Sequence, residues 1–531
     1  MAVVEVSYED LSSLIGVKIE RQELMESITM FGTPVEEEEG DLVRIEVFPN
    51  RPDMLSVEGI ARSMRQFLGK KKGLPIYKLS SPNLEVKIKN PAIRQACSFC
   101  VIKNVNLSNA AVASLMQLQE KLHTTHGRRR AKVAIGVHDL DKIEGPITYG
   151  DELKSQIEFV PLGEKESLTA EKILNNTSKG RAYAHLLPGE KAPVIRDRTG
   201  EVLSLPPIIN GEYSKVEPST RNIFLDVTGT DERAVEKAAI IVAASLAERG
   251  AEIELVKVGE RLAPDFTPQT MELETDYVNK LLGLELDDFD VIELLSKMGM
   301  AKFEGSFKIP AYRTDIMHPI DLVEDVAISY GYPQFKREIL SSKLSGEIHP
   351  SEELAETLRL AMVGLGFQEV YTFILTNPEL LFEKMGEKRR DVPEIENPTS
   401  QNFTIVRDTV LPSLLEILSS NTHNSYPQKI FEIGEVCKLD EKEVGSSTER
   451  RLSGVFASSD ANFTEVKGIV EAVSDVMGWK AEFQEADHPS FIEGRAASSE
   501  KVIFGEIHPR VLSEFGIDVP VAAFEFKIPY L

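Results

Sequence analysis

Asn50-Arg-Pro-Asp-Met-Leu-Ser-Val-Glu-Gly-Ile-Ala61 closes one pattern, and Arg313-Thr-Asp-Ile-Met317 with Glu324-Asp-Val-Ala327 closes a second copy of it. The first copy opens with Ser7-Tyr-Glu-Asp-Leu-Ser-Ser-Leu-Ile-Gly16, then Glu23-Leu-Met-Glu-Ser-Ile-Thr-Met30. The second opens with Glu274-Thr-Asp-Tyr-Val-Asn-Lys-Leu-Leu-Gly283, then Val291-Ile-Glu-Leu-Leu-Ser-Lys-Met-Gly-Met300. Each reads as a short helix, a second helix, a strand, Arg-x-Asp and a closing helix. A glycine ending each first helix suits a left-handed cap, where a side chain would crowd the backbone. Each copy spans about 70 residues, within the size of a small domain.

Between the copies, residues 81–265 are dominated by strand-like runs at Leu84–Ile88, Phe99–Val105, Lys132–Val137 and Asn222–Val227. Helical patterns interleave at Leu115–Leu122 and Ala234–Arg249, which predicts one mixed α/β domain. After Tyr332-Pro333 the pattern changes. Ser351 is placed to cap a helix whose Leu354, Leu358, Ala361 and Leu365 share a face. A strand at Val370–Leu375, a Pro-opened helix through Leu411, Leu414, Leu415 and Leu418, and a strand at Lys429–Ile433 follow. The expected fold is α+β and multidomain. Two related small α/β domains, 1–80 and 268–337, flank a mixed domain at 81–265, and a large antiparallel-sheet domain fills 345–531.

The 531 residues carry a net charge of −25, with 42% hydrophobic and 27% charged residues. Such a chain is a globular protein rather than a disordered one. A strongly acidic surface does not coat nucleic acid non-specifically, but it leaves room for a local basic patch. The dense basic run is Arg128, Arg129, Arg130 and Lys132, which on composition alone reads as a solvated loop. Cys97, Cys100 and Cys437 cannot build a disulfide framework, which fits a reducing compartment. The acidic start, Met1 to Asp10, lacks the basic and apolar regions of a secretory signal. No apolar run reaches the roughly 18 residues of a membrane span, so the expected location is the cytoplasm.

Common enzyme signatures are missing. Gly364-Leu-Gly366 lacks the third glycine of a dinucleotide fingerprint, Gly69-Lys-Lys-Lys-Gly73 lacks Walker A spacing, and no His-Glu-x-x-His occurs. Cys97-x-x-Cys100 has no second pair for zinc and reads as two core residues. Asp315, Asp321, Glu324 and Asp325 are the best metal candidates. The last three fall at i, i+3 and i+4 of a helix, where like charges cost roughly 0.2–0.5 kcal/mol per pair. A hard cation, Mg²⁺ first, would remove that cost. On the residues alone, an acidic first turn favoured by the helix dipole is the better account. Gln119, Glu120, Arg130, Ser204, Asn210, Asp226 and Thr228 flank the central strands, where pocket residues often sit, though spacing alone does not gather them.

Several of these stretches resemble one family. Asn50 to Arg62 is similar to the N-terminal signature of the phenylalanyl-tRNA synthetase β subunit. His123 to Asp139, Pro206-Pro-Ile-Ile-Asn-Gly-Glu-Tyr-Ser214 and Asp226-Val-Thr-Gly-Thr230 resemble the editing domain of its archaeal and eukaryotic branch. Arg313 to Tyr332 resembles the magnesium-associated domain. Asn397-Pro-Thr-Ser400, Arg407, Leu411-Pro-Ser-Leu-Leu415 and Phe431-Glu-Ile-Gly-Glu-Val436 resemble the class II synthetase-like core. The resemblance spans essentially the whole chain.

It implies an α₂β₂ heterotetramer in which the α subunit activates phenylalanine with ATP and charges tRNA-Phe. The core in this chain lacks the Gly-x-Gly-x-x-Arg of motif 3, so Arg407 stands without its expected companion. The helix from Ser351 to Leu365 is the candidate surface for α. The resemblance further implies an editing site for mischarged tyrosyl-tRNA at Gln119, Glu120, Arg130, Ser204, Asn210, Asp226 and Thr228. There Asp226 accepts the tyrosine hydroxyl, Arg130 holds terminal phosphates or ribose, Asn210 orients the ester or water, and water is the nucleophile. Mg²⁺ is implied at Asp315, Asp321, Glu324 and Asp325, the last standing where many relatives carry Glu. Competing expectations are a tRNA-orienting scaffold with an inactive editing site, a free-standing editing hydrolase, and a metal-dependent enzyme.

Overall fold

Gly16 and Gly283 stand at φ 73° and 67°, each ending a helix of eight residues. The Gly16 amide donates to the Ser12 carbonyl at 3.0 Å and the Gly283 amide to Asn279 at 2.8 Å. These caps start the same chain path twice in a computed structural model that describes residues 2–16, 19–339, 345–441, 444–480 and 482–529. Contacts divide the chain into two units, 1–339 and 340–531. The finer limits at 80, 265, 268, 337 and 345 are a proposed subdivision, and positions 1 and 531 lie outside the described residues.

In the first unit, β1 (Ala2–Ser7), α1 (Tyr8–Ile15), α2 (Arg21–Met30), β2 (Val35–Glu39), β3 (Leu42–Val47) and α3 (Val57–Phe67) form the first copy. Its sheet has the order β1-β3-β2. The central region holds β4 (Glu85–Lys89), β5 (Ala96–Lys103), α4 (Asn109–Thr124), β6 (Val133–Asp139), β7 (Ile147–Leu153), β8 (Lys191–Arg196), β9 (Val202–Leu205) and β10 (Ile209–Asn210). It ends with β11 (Ile223–Gly229), α5 (Glu232–Ala247) and β12 (Glu252–Val258). The second copy is β13 (Gln269–Met271), α6 (Thr275–Leu282), α7 (Asp288–Ser296), β14 (Ala301–Phe303), β15 (Ser306–Ile309) and α8 (Pro319–Tyr330). Its order, β13-β15-β14, repeats that of the first.

The central sheet has eleven strands, with the path β10-β9-β8-β7-β4-β12-β5-β11-β6 and two short pieces on β12. Strands β6 and β11 are buried along their whole length and β5 nearly so. They are covered on both faces, which is why they read as apolar runs rather than alternating ones. Cys97 and Cys100, three apart on β5, face opposite sides and join different apolar clusters. Burial pushes the Cys97 thiol up to about 11 and raises Cys100 as well, which fits inert core residues. The path ends at β10 and β6, and the Asn210 Nδ2 donates to the Val137 carbonyl at 3.3 Å between them. The sheet is thereby nearly closed, with a seam.

The second unit contains α9 (Pro350–Gly364), α10 (Leu411–Ser420), β16 (Gln428–Leu439), β17 (Ser446–Ala457), α11 (Phe463–Val476), β18 (Phe491–Ser498), β19 (Val502–Ile507), α12 (Pro509–Glu514) and β20 (Val521–Ile528). The long strands pair antiparallel in the order β16-β17-β20-β19-β18. Alternation assigns the two faces. Ile430, Val455 and Ala523 pack with α10 and α12, while Phe431, Phe456 and Phe524 pack with α9 and α11.

Two local expectations change. The cap of α9 is His349, whose ring accepts from the Ser351 amide, because Pro350 fills the first helical position. Val370–Leu375 is not a strand. Only Gln368–Glu369 and Leu375–Thr376 pair, and Tyr371 and Phe373 point out, 86% and 76% exposed. No helix among the described residues is long and apolar enough to cross a membrane.

Candidate functional site

The seam of the eleven-stranded sheet opens into a cavity of about 430 Å³. Its walls are largely apolar, including Met116, Val137, Leu162, Pro206 and Ile208. Six of the seven residues expected from the sequence line it: Gln119, Glu120, Arg130, Ser204, Asn210 and Asp226. The seventh, Thr228, does not. It follows Asp226 by two on β11, but buried Arg94 takes that space, donating to the Thr228 carbonyl at 2.7 Å and to its Oγ1 at 3.3 Å.

Asp226 is the one acidic group at the buried end. Its Oδ2 lies 2.7 Å from His138 Nε2, and His138 Nδ1 lies 2.7 Å from Ser214 Oγ. Asp226 is 1% exposed, and His138 and Ser214 are fully buried. Among the described residues nothing hydrogen-bonds Asp226 Oδ1. Ser214 resembles a nucleophile beside a histidine, yet it lies behind Asp226 and outside the cavity lining, so no substrate reaches it. Gly136 makes the arrangement possible: a Cβ there would stand 1.9 Å from Asp226 Oδ2 and 3.0 Å from His138 Nε2.

At the other end Glu120, His123 and Arg130 cluster. The Arg130 guanidinium donates to the Pro207 and Ile208 carbonyls at 3.2 and 2.9 Å and to Glu120 at 3.2 Å, and it stacks over the Tyr183 ring at 4.6 Å. These commitments make Arg130 a wall of the cavity rather than a free phosphate clamp. The His123 ring, 3.6 Å away, and the Arg130 charge hold the Glu120 carboxyl down at about 2. His123 Nε2 accepts from the Ile135 amide at 2.8 Å, so in the neutral ring the proton sits on Nδ1. That Nδ1 is buried without a hydrogen-bond partner. Burial lowers the pKa of His123, and burial with the Arg130 charge lowers that of Lys179. Gln119 Nε2 donates to the Ile135 carbonyl at 2.5 Å.

Between α4 and β6 the chain turns through Arg128, Arg129 and Arg130, all at positive φ (48°, 52° and 67°). An L-residue loses roughly 1–2 kcal/mol in this left-handed conformation, because Cβ crowds the following carbonyl. Arg94 braces the turn, donating to the Arg130 and Ala131 carbonyls at 3.1 and 3.3 Å.

The four metal candidates are not brought together. Arg313 pairs in two-pronged fashion with Asp315 (2.8 and 2.7 Å) and reaches Asp325 at 2.9 Å. Asp321 instead accepts from the Met317 and His318 amides at the start of α8, and Glu324 accepts from the Tyr332 hydroxyl at 2.9 Å. Among the described residues no group of three or more His, Cys, Asp or Glu side chains could hold a metal ion. The residues as arranged do not fit Mg²⁺, because a fully buried arginine already supplies the positive charge. The first copy repeats the device. Arg51 grips Asp53 with two bonds of 2.9 Å, and Arg62 adds one to the Asp53 carbonyl at 3.1 Å. Arg62 in turn lies 3.8 Å from the Tyr312 ring of the second copy.

Comparisons with known proteins agree with one another. Residues 338–528 match the family model of the phenylalanyl tRNA synthetase beta chain CLM domain, 271–332 the tRNA synthetase B5 domain, and 95–263 the B3/4 domain. The phenylalanine–tRNA ligase beta subunit of Methanococcus aeolicus is 40% identical, covering 99% of this chain and 100% of that protein. That of Pyrococcus horikoshii is also 40% identical, over 99% and 98%. The chain belongs to the phenylalanyl-tRNA synthetase β-subunit family. A crystal structure of an N-terminal fragment of the β subunit from Pyrococcus horikoshii superimposes with a TM-score of 0.59 at 38% identity, covering 62% of this chain and 99% of the fragment.

In this member of the phenylalanyl-tRNA synthetase β-subunit family, the synthetase-like unit has spent its conspicuous arginine on structure. Arg407 is 1% exposed, donating to Glu432 and Thr372 at 2.6 Å and to the Glu435 carbonyl at 3.0 Å. A guanidinium so committed is not free to grip an incoming phosphate.

Proposed function

We propose that this chain is the β subunit of a cytoplasmic α₂β₂ phenylalanine–tRNA ligase, whose α subunit binds ATP and phenylalanine and charges tRNA-Phe. We propose further that the seam cavity hydrolyses tyrosyl-tRNA-Phe. The observation that carries the second reading is Asp226, a buried carboxyl with one oxygen unengaged, at the buried end of a largely apolar cavity. An aromatic ring fills the walls, and Asp226 Oδ1 accepts the tyrosine hydroxyl. Phenylalanine offers no donor there and leaves a desolvated carboxyl unsatisfied, which is costly. A pocket that merely tolerates a hydroxyl discriminates by about 10²-fold, whereas one built to bond it reaches about 10⁴–10⁵. Charging and editing therefore divide the task. Asn210, with Ser204 beside it, orients the ester or the attacking water. Water adds to the carbonyl carbon, and the ribose oxygen leaves as the alcohol. No step passes through Mg²⁺.

The test is Asp226→Ala in the α–β complex. Tyrosine release from pre-formed tyrosyl-tRNA-Phe should slow at least tenfold, the worth of about one charge-assisted hydrogen bond, with phenylalanine charging retained. Unchanged release would remove Asp226 from the proposal, and a wild-type complex that charges phenylalanine yet leaves tyrosyl-tRNA intact would favour the scaffold reading.

For the α partner we propose the outer face of α9 and the segment after it. Leu360, Val363, Tyr371 and Phe373 are 65%, 57%, 86% and 76% exposed. Apolar exposure of this kind marks a protein interface. Leu360→Glu with Val363→Glu should abolish co-purification with α while leaving the second unit folded by circular dichroism. Retained association would place the α surface elsewhere.

A further inference from the structure

The left-handed turn at Arg128–Arg130 caps α4. The amides of Gly127, Arg128, Arg129 and Arg130 donate to the carbonyls of Leu122, Thr125, Thr124 and His123 at 2.7–3.3 Å. Every one of these bonds comes from the main chain. Glycine would supply them equally and without strain. The cap explains the turn and leaves the arginines unexplained. The side chain of Arg130 is accounted for by the cavity wall. Those of Arg128 and Arg129 are exposed and make no hydrogen bond or ion pair among the described residues. The other non-glycine residues at positive φ, Asn90, Asn104 and Glu304, occur singly. A chain of net charge −25 thus keeps two unpaired cations in a strained conformation immediately beside its cavity wall. Strain persists where the surroundings enforce it, here through Arg94, and it marks functional sites.

We propose that Arg128 and Arg129 are the landing site for the phosphodiester backbone of the single-stranded RNA end that delivers the ester to the cavity. The inference rests on the hydrolytic reading above. It transfers phosphate contact from Arg130, whose two terminal nitrogens are committed and whose Nε is buried, to its two neighbours. RNA phosphates are bound mainly by such exposed cations, and each contact adds to the salt dependence of binding.

The experiment compares wild type, Arg128→Gly/Arg129→Gly and Arg128→Lys/Arg129→Lys in the full α–β complex. The readouts are affinity for uncharged tRNA-Phe against salt, the KM and kcat of tyrosyl-tRNA-Phe hydrolysis, and the melting temperature. For the glycine pair we expect an unchanged or raised melting temperature, at least tenfold weaker tRNA binding, and KM raised more than kcat is lowered. The log–log salt slope should fall by about 0.7 per arginine lost. The lysine pair, which keeps the charge, should recover most of the affinity. Unchanged affinity, salt slope and KM in the glycine pair would overturn the landing site and leave the arginines as decoration of a cap. A wild-type complex that binds tRNA with the expected arginine dependence yet releases no tyrosine supports the landing site and overturns the hydrolytic reading instead.

Discussion

Gly136→Ala should remove the proposed tyrosyl-tRNA hydrolysis and destabilise the first unit, although it adds a single methyl group. The added Cβ would lie 1.9 Å from Asp226 Oδ2, 2.8 Å from its Cγ and 3.0 Å from His138 Nε2. Neither partner can yield cheaply. Asp226 sits on a strand paired on both sides, its residue opposite Gly136 on β6 and Phe99 on β5. His138 is held from behind by Ser214. Overpacking alone costs about 1–3 kcal/mol, and separating a buried hydrogen-bonded pair adds to it. We expect a loss of about 2–4 kcal/mol in urea denaturation. Relieving the clash should move the Asp226 carboxyl by about an ångström, enough to cost about 10²-fold in rate. The check is single-turnover tyrosine release beside an unfolding curve, so that loss of fold and loss of geometry are read separately. Wild-type release by a normally folded Gly136→Ala complex would mean that Asp226 does not meet the substrate.

Arg313→Ala has the second large effect. It leaves Asp325, itself 4% exposed, and Asp315 without their counter-charge. Breaking a buried pair by removing one partner costs about 3–5 kcal/mol. The pH dependence fixes the sign. Burial lifts Asp325 from 3.8 to about 6 against the pull of Arg313, with Asp315 adding to the rise. A carboxyl whose folded pKa lies above its unfolded value binds its proton more tightly when folded, so its contribution to stability grows as pH falls between those values. The defect of Arg313→Ala should therefore be largest at pH 7 and above, and shrink towards pH 4.5, as measured by urea denaturation across that range. The same geometry bears on Mg²⁺. At fixed ionic strength, millimolar Mg²⁺ should leave the wild-type melting temperature unchanged. A rise of several degrees would show that the acidic residues rearrange around a cation after all.

The repeated unit was legible because its signals are local. Gly16 and Gly283 need a left-handed backbone, and each Arg-x-Asp closes on itself within two residues. Six cavity residues were legible only through resemblance, since sheet pairing brings Asp226 to Gly136 and a side-chain bond across the seam brings Asn210 to Val137, neither of which spacing reveals. His138 and Ser214 escaped notice for the same reason. Their partners lie 88 and 76 residues away in the chain, and the one clue was Gly136 and His138 two apart on a strand, hence on one face. The acidic cluster misled because helical spacing counts carboxylates without seeing Arg313, which enters from the preceding strand connection. Val370–Leu375 alternates like a strand, but Tyr371 and Phe373 stay largely exposed, Phe373 meeting the Phe403 ring edge-on at 5.6 Å.

The most direct measurement is single-turnover release of amino acid from tyrosyl-tRNA-Phe and from phenylalanyl-tRNA-Phe by the wild-type α–β complex. With Asp226 presenting an unengaged oxygen to the ring hydroxyl, tyrosine should leave at least about 10²-fold faster than phenylalanine. Equal rates, or tyrosyl-tRNA as long-lived as it is in buffer, would contradict the hydrolytic role assigned to the seam cavity.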